Sequence, residues 1–177
     1  MAHGIDETLE FKPIRIAILT VSDTRTPETD TSGQLLVDRL QATGHELADR
    51  KLVRDDIDTV RATVKGWIDN SHVDAVISTG GTGLTGRDIT VEAITPLFEK
   101  TIDGFSVIFH QVSYQTVGLS TLQSRAVAGL ANGTFIFALP GSNGAVKDGW
   151  DKVISHQLDS RHKPCNMVEL IPRLMER

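Results

Sequence analysis

Residues 73–88 read Val-Asp-Ala-Val-Ile-Ser-Thr-Gly-Gly-Thr-Gly-Leu-Thr-Gly-Arg-Asp. Val73–Ser78 carries the short, apolar, β-branched signature of a buried strand. It runs without a linker into glycines, which accept positive φ and let backbone N–H groups approach a ligand closely. Val91, Ile94, Leu97 and Phe98 then predict a short helix, with Pro96 in its first turn or starting a new one. A buried strand, a glycine loop and a helix in succession form the repeating unit of a parallel α/β sheet.

The flanking segments repeat that unit. Ile14–Val21 (IRIAILTV) predicts a buried strand, and a helix follows over residues 31–43, capped by Asp30 or Thr31 and closed by Gly44. Glu46–Val53 reads as a weaker strand. Asp58 is placed to cap a helix whose Val60, Val64, Trp67 and Ile68 share one face and which ends near Asn70. Leu122–Leu130 reads as helical, and Phe105–Val117 reads as a core helix or a subunit face. Thr134–Leu139 is a late strand, followed by Pro140-Gly141-Ser142 and a helix through about residue 158. Trp67 and Trp150 fall among aliphatic residues at helical spacing and are expected in the core. The expected architecture is α/β and three-layered: a mostly parallel sheet with helices on both faces, joined by right-handed crossovers. Residues 1–12 are expected to form a flexible N-terminal tail. Residues 13–177 are expected to form one domain, including a strapped-down C-terminal extension from Arg161.

Composition narrows the function classes. The chain has 177 residues, 18 Lys+Arg against 23 Asp+Glu, and a net charge of −5. An acidic chain lacks the general Lys/Arg excess that nucleic-acid binding draws on. No apolar run is long enough to span a bilayer. Met1–Phe11 lacks the basic start and apolar core of a signal peptide. One cysteine, Cys165, leaves no intrachain disulfide and no cysteine-based zinc site. These features together predict a cytoplasmic protein. Its six histidines show no ligand pairing at helical spacing.

Ligands of open parallel sheets bind beyond the carboxyl ends of the strands. Ser22 and Asp23 follow the first strand and Asp55, beside Asp56, follows the second. The loop Thr79-Gly80-Gly81-Thr82-Gly83 with Arg87 and Asp88 follows the third, and Pro140-Gly141-Ser142 follows the late one. The glycine loop is suited to an anion nest, although a plain tight turn explains it equally well. Ser142 either faces a phosphate or caps the next helix. Several carboxylates facing phosphate-type loops suit Mg²⁺, which takes one or two carboxylates plus substrate phosphates. Gly81-Thr-Gly-Leu-Thr-Gly86 matches a dinucleotide fingerprint only formally, because no strand ending in a ribose-binding acid follows it. A nicotinamide-dependent oxidoreductase is therefore disfavoured. No Gly-Lys-Ser/Thr motif and no nucleophile elbow is present.

The motifs Thr20–Thr24 (TVSDT), Ser78–Asp88 (STGGTGLTGRD), Ser120–Gly129 (STLQSRAVAG), Phe137–Ser142 (FALPGS) and Arg161–Asn166 (RHKPCN) resemble the MoaB/Mog family of molybdenum-cofactor biosynthesis. The likeness covers residues 14–172 and is closest to the MoaB branch. It implies a molybdopterin-binding fold, trimeric in the family and often hexameric in this branch. It also implies adenylylation of molybdopterin by ATP with Mg²⁺, releasing pyrophosphate, before a partner enzyme inserts molybdate or tungstate. On this resemblance Asp88 and, on an ungapped reading that prefers it to Asp56, Asp55 are the required acids; both are expected to hold Mg²⁺, and Arg87 is expected either to offset developing charge in catalysis or to pair with Asp88. Ser22, Asp23, the 79–83 loop and Pro140–Ser142 then bind molybdopterin and nucleotide. The branch also contains inactive members, so a non-catalytic molybdopterin carrier is the competing expectation. The presence here of Asp55, Arg87 and Asp88 favours the active form.

Overall fold

The computed structural model describes residues 4–176. In chain order the elements are β1 (Gly4–Ile5), β2 (Arg15–Val21), α1 (Thr31–Ala42), β3 (Glu46–Val53), α2 (Ile57–Ile68), β4 (Ala75–Thr79) and α3 (Thr90–Ile94). Then come β5 (Lys100–Thr101), α4 (Asp103–Val117), β6 (Val127–Ala131), β7 (Thr134–Leu139), α5 (Asn143–Gly149), a π-helical turn Trp150–Ile154, α6 (Ser155–Gln157) and β8 (His162–Lys163). The main sheet has six strands in the order β3-β2-β4-β7-β6-β5. The pairs β3–β2, β2–β4 and β4–β7 are parallel, whereas β7–β6 and β6–β5 are antiparallel.

Alternation along the strands makes the layers. Ile16 and Ile18 of β2, Ile77 of β4, and Phe135 and Phe137 of β7 face one side, where α1, α4 and α5 cover them. Ala17, Leu19, Val76 and Ile136 face the other, against Val60, Val64 and Trp67 of α2 and Ala93 and Ile94 of α3. Strands buried on both faces need apolar residues at every position, and Ile-Ala-Ile-Leu in β2 supplies them. Each large side chain buried this way contributes roughly 1.5–3 kcal/mol. The three-layer α/β architecture read from the sequence is the observed one, with both tryptophans buried. No helix among the described residues is long and apolar enough to cross a membrane.

Three expectations need correction. Leu122–Leu130 is not a helix: a 3₁₀ turn (Gly118–Gln123) leads through residues 124–126 into β6. Asn132 (φ 46°) and Gly133 (φ 77°) turn β6 directly into β7, with Ala131 opposite Thr134. An Asn-Gly pair favours this two-residue hairpin because both central positions need positive φ. The cap of α2 is Asp56, whose side chain accepts the Thr59 N–H at 2.8 Å, and not Asp58. Residues 4–12 form an ordered strap where a flexible tail was expected, and residues 1–3 lie outside the described residues. Gly4–Ile5 pairs with His162–Lys163, the Lys12 N–H donates to Ser160 Oγ at 2.8 Å, and the Arg161 guanidinium lies 5.2 Å above the Phe11 ring. The C-terminal extension is strapped down as expected, through Asn166, which donates to the Ser160 and His162 carbonyls. In α4, Phe105 and Phe109 are buried while Val107, Ile108, Tyr114 and Val117 are exposed.

Candidate functional site

Register brings the strand ends together. Leu52, Thr20, Thr79 and Leu139 lie on one row across β3, β2, β4 and β7. The loops after these four parallel strands therefore leave the sheet at one level and surround a cavity of about 380 Å³. Because β6 runs the other way, with Val127 opposite Ala138, the segment before it arrives at the same edge. Gln123 and Ser124 accordingly line the cavity.

The glycine loop forms the floor. Gly80 has φ +100° and packs so closely that a Cβ there would lie 2.2 Å from the Val21 carbonyl oxygen. Its N–H donates to the Leu139 carbonyl (3.0 Å), and its own carbonyl accepts the Thr90 hydroxyl (2.8 Å). Gly141 approaches from the neighbouring loop, where a Cβ would stand 3.0 Å from Gly80 Cα. A larger residue at Gly141 would push the two loops apart, and one at Gly80 would drive the glycine loop off the end of β2. The Thr79 hydroxyl ties the loops further by donating to the Pro140 carbonyl at 3.1 Å.

Two carboxylates, Asp55 and Asp88, share the cavity wall. Asp88 accepts the Thr85 hydroxyl at 2.6 Å and the Thr85 N–H at 2.9 Å. The Thr85 hydroxyl bond above all holds its carboxyl below the ordinary value, so Asp88 is ionised at neutral pH. Asp55 is shifted the opposite way, by burial first and by the charge of Asp88 second. Between Asp55 and Asp56 the placement is plain: Asp55 lines the cavity, whereas Asp56 points to the α2 backbone as its cap.

Of the residues expected here, Ser22, Asp55, Thr79–Gly83, Arg87, Asp88, Pro140 and Gly141 line the cavity. Two do not. Asp23 instead braces the edge, pairing with Arg87 and accepting the Asp55 N–H at 3.3 Å. Arg87 is thus held by Asp23, not by Asp88. Ser142 caps α5 by accepting the Ala145 N–H at 3.1 Å.

Several residues were not anticipated. Arg25 and Ser32 line the cavity beside α1. Arg125 threads the glycine loop: its Nε donates to the Gly83 carbonyl at 2.8 Å and the Thr82 carbonyl at 3.2 Å, and Nη2 donates to the Asp88 carbonyl at 3.0 Å. It also pairs with Glu92. The signal that finds Arg125 is Asn132-Gly133. Once that hairpin is recognised, β6 runs antiparallel and the residues before it must reach the site.

The donor set fits a magnesium ion. Among the described residues no three His, Cys, Asp or Glu side chains converge into a metal cage. Two carboxylates beside a glycine-lined floor are what Mg²⁺ uses when substrate phosphates and water complete its shell.

Comparison with known proteins gives a consistent answer. A family model described as "Probable molybdopterin binding domain" matches residues 17–160. The molybdenum cofactor biosynthesis protein B of Escherichia coli K12 is 50 % identical over 157 residues, covering 89 % of this chain and 92 % of the relative. A crystal structure of a molybdenum cofactor biosynthesis protein B superposes with a TM-score of 0.81 at 41 % identity, over 83 % of this chain and 92 % of that one. The tungsten cofactor synthesizing protein MoaB from Pyrococcus furiosus superposes with a TM-score of 0.74 at 38 % identity, over 82 % of this chain and 92 % of that one.

Proposed function

Since the chain belongs to the molybdopterin-binding family of the molybdenum cofactor biosynthesis B proteins, we propose that it adenylylates molybdopterin with ATP and Mg²⁺. The observation that carries this reading is the pair Asp55 and Asp88 on one wall of a glycine-floored cavity. Nucleotidyl transfer needs no covalent nucleophile from the protein, because the attacking group is a phosphate of the substrate. An oxygen of the molybdopterin phosphate forms a bond to the α-phosphorus of ATP, the bond from that phosphorus to the bridging oxygen breaks, and pyrophosphate leaves. What remains for the protein is to position two anions in line and to neutralise the charge between them.

Asp55 and Asp88 would hold Mg²⁺, which when bound supplies charge neutralisation at the phosphates. The amides of Gly81–Gly83 and Gly141 would cradle phosphate oxygens, with preorganised donors aimed where charge develops, while the Gly80 N–H is already bonded to the Leu139 carbonyl. Ser22 would bind beside them. Asp23 holds Arg87 and the Asp55 backbone, so it is a positioning residue, and Ser142 acts by fixing the start of α5. The exposed apolar side chains of α4 support a homo-oligomer, trimer or hexamer, which light scattering would resolve. A molybdate- or tungstate-inserting enzyme would consume the product.

One observation favours the alternative of a non-catalytic molybdopterin carrier: Arg87 pairs with Asp23, which offsets part of its charge before any phosphate binds. The deciding experiment is pyrophosphate release from ATP by the purified protein, with molybdopterin and Mg²⁺. Calorimetry separates the two readings, because a carrier binds molybdopterin but not ATP.

A further inference from the structure

Two chemically unlike groups line the cavity: the carboxylates Asp55 and Asp88, and the first turn of α1. In the α1 turn Ser32 lines the cavity, is only 1 % exposed, and makes no hydrogen bond through Oγ to any described residue. Buried hydroxyls without partners are few in native proteins because each is unfavourable. The polar groups around Ser32 are matched. Asp30 accepts the Gly33 N–H (2.9 Å) and the Thr20 hydroxyl (2.8 Å), pairs with Arg50 (3.0 Å), and does not line the cavity. The Thr31 hydroxyl donates to Asn143 at 3.1 Å.

Gly33 places Ser32 there. A Cβ at residue 33 would lie 2.3 Å from the Thr20 hydroxyl, so only glycine lets the first turn of α1 lie against the end of β2. Arg25 joins the same group. Its Nη1 donates to the Thr29 carbonyl (2.8 Å) and to Thr31 Oγ (3.2 Å), and among the described residues it pairs with no carboxylate, unlike Arg87. The N-terminus of the twelve-residue helix α1 adds a favourable field for negative charge.

The geometry points to a phosphate subsite at the first turn of α1, where the Ser32 hydroxyl donates to a phosphate oxygen and Arg25 supplies the charge without any metal. It rests on the reading that the cavity takes phosphorylated ligands, and it deepens that reading by giving the cavity a second phosphate site. One phosphate is gripped at α1 while the reacting phosphates sit at the carboxylates.

The test is titration of the full chain with inorganic phosphate in the presence of a chelator, followed by calorimetry or ³¹P NMR. Saturable binding is expected, weakened about fivefold or more by Ser32→Ala and by Arg25→Gln, and retained in Asp55→Asn. Ser32→Ala is also expected to melt no lower than the wild type. Absence of metal-free binding in the wild type, or its loss in Asp55→Asn, overturns the proposal. So does unchanged affinity in Ser32→Ala or Arg25→Gln. If Ser32→Ala is unstable, Arg25→Gln decides alone. Intact phosphate binding with no adenylylation refutes the reaction and leaves the subsite, whereas adenylylation with unaltered phosphate binding in both variants refutes only the subsite.

Discussion

The parallel half of the sheet and its antiparallel half reach the same cavity from opposite chain directions. The parallel strands β3, β2, β4 and β7 deliver loops that follow them, and those loops carry Asp55, Ser22, the glycine floor, Asp88 and Gly141. The antiparallel strand β6 delivers what precedes it: Gln123 and Ser124 in the wall and Arg125 beneath the glycine loop. The first half supplies the groups that would touch a ligand. The second half holds the longest loop in shape. Changes in the two halves should therefore fail differently, one in chemistry with the fold intact, the other in loop geometry.

The largest effect is expected at the carboxylates. Asp55→Asn should reduce pyrophosphate release about 10²–10³-fold, the scale of losing one strong electrostatic contact to a transition state. It should also raise the melting temperature, because burial and the charge of Asp88 both disfavour the Asp55 carboxylate in the fold. A variant that is slower and less stable would break the distinction between chemistry and scaffold. Next comes Arg125→Ala, which removes donors from the Thr82, Gly83 and Asp88 carbonyls. It should cost about 2 kcal/mol in denaturant unfolding and lower turnover roughly tenfold through the displaced loop. Arg125→Lys should not rescue it, since an ammonium cannot span the three carbonyls as a guanidinium fork does.

A smaller effect is expected at the hairpin. Gly133→Ala at φ +77° should cost on the order of 1 kcal/mol and leave turnover per folded molecule unchanged. A loss of turnover there would mean that the hairpin itself tunes the site. The smallest effect near neutrality lies at the pole where the strap packs. His45 is 5 % exposed, sits between Phe11 and Trp150, and accepts the Ile14 N–H at 3.3 Å. Burial lowers its pKa to about 4. Between about pH 6.5 and 4 the unfolded chain binds a proton that the folded chain does not, so stability falls as pH falls through that window. His45→Gln should flatten that part of a Tm-against-pH curve and leave the cavity untouched.

What was legible in the sequence follows the same division. Strands buried on both faces announce themselves as apolar runs, so Ile14–Val21, Val73–Ser78 and Thr134–Leu139 could be placed, and strand-end geometry then gathered Asp55, Asp88 and the glycines. The run Ser124–Leu130 has small residues and no clear period, and helix and strand propensity do not separate it. Reading it as helix hid the direction of β6 and with it Arg125. Asp23 and Ser142 illustrate a different limit. Both stand where ligand-binding residues belong, and only the structure shows that one braces Arg87 and the other caps α5. Ser32 and Arg25 were invisible because a lone Ser or Arg near a helix start has an ordinary capping or surface explanation.

If Asp55 and Asp88 make this cavity a metal-dependent nucleotidyl-transfer site, the rate of pyrophosphate release from ATP and molybdopterin as Mg²⁺ is titrated, in the wild type and in Asp88→Ala, will show it. A saturable requirement for Mg²⁺ is expected in the wild type, and a near-complete loss of rate in the variant at every Mg²⁺ concentration. Full turnover by Asp88→Ala, or turnover by the wild type with the metal chelated, would contradict that assignment.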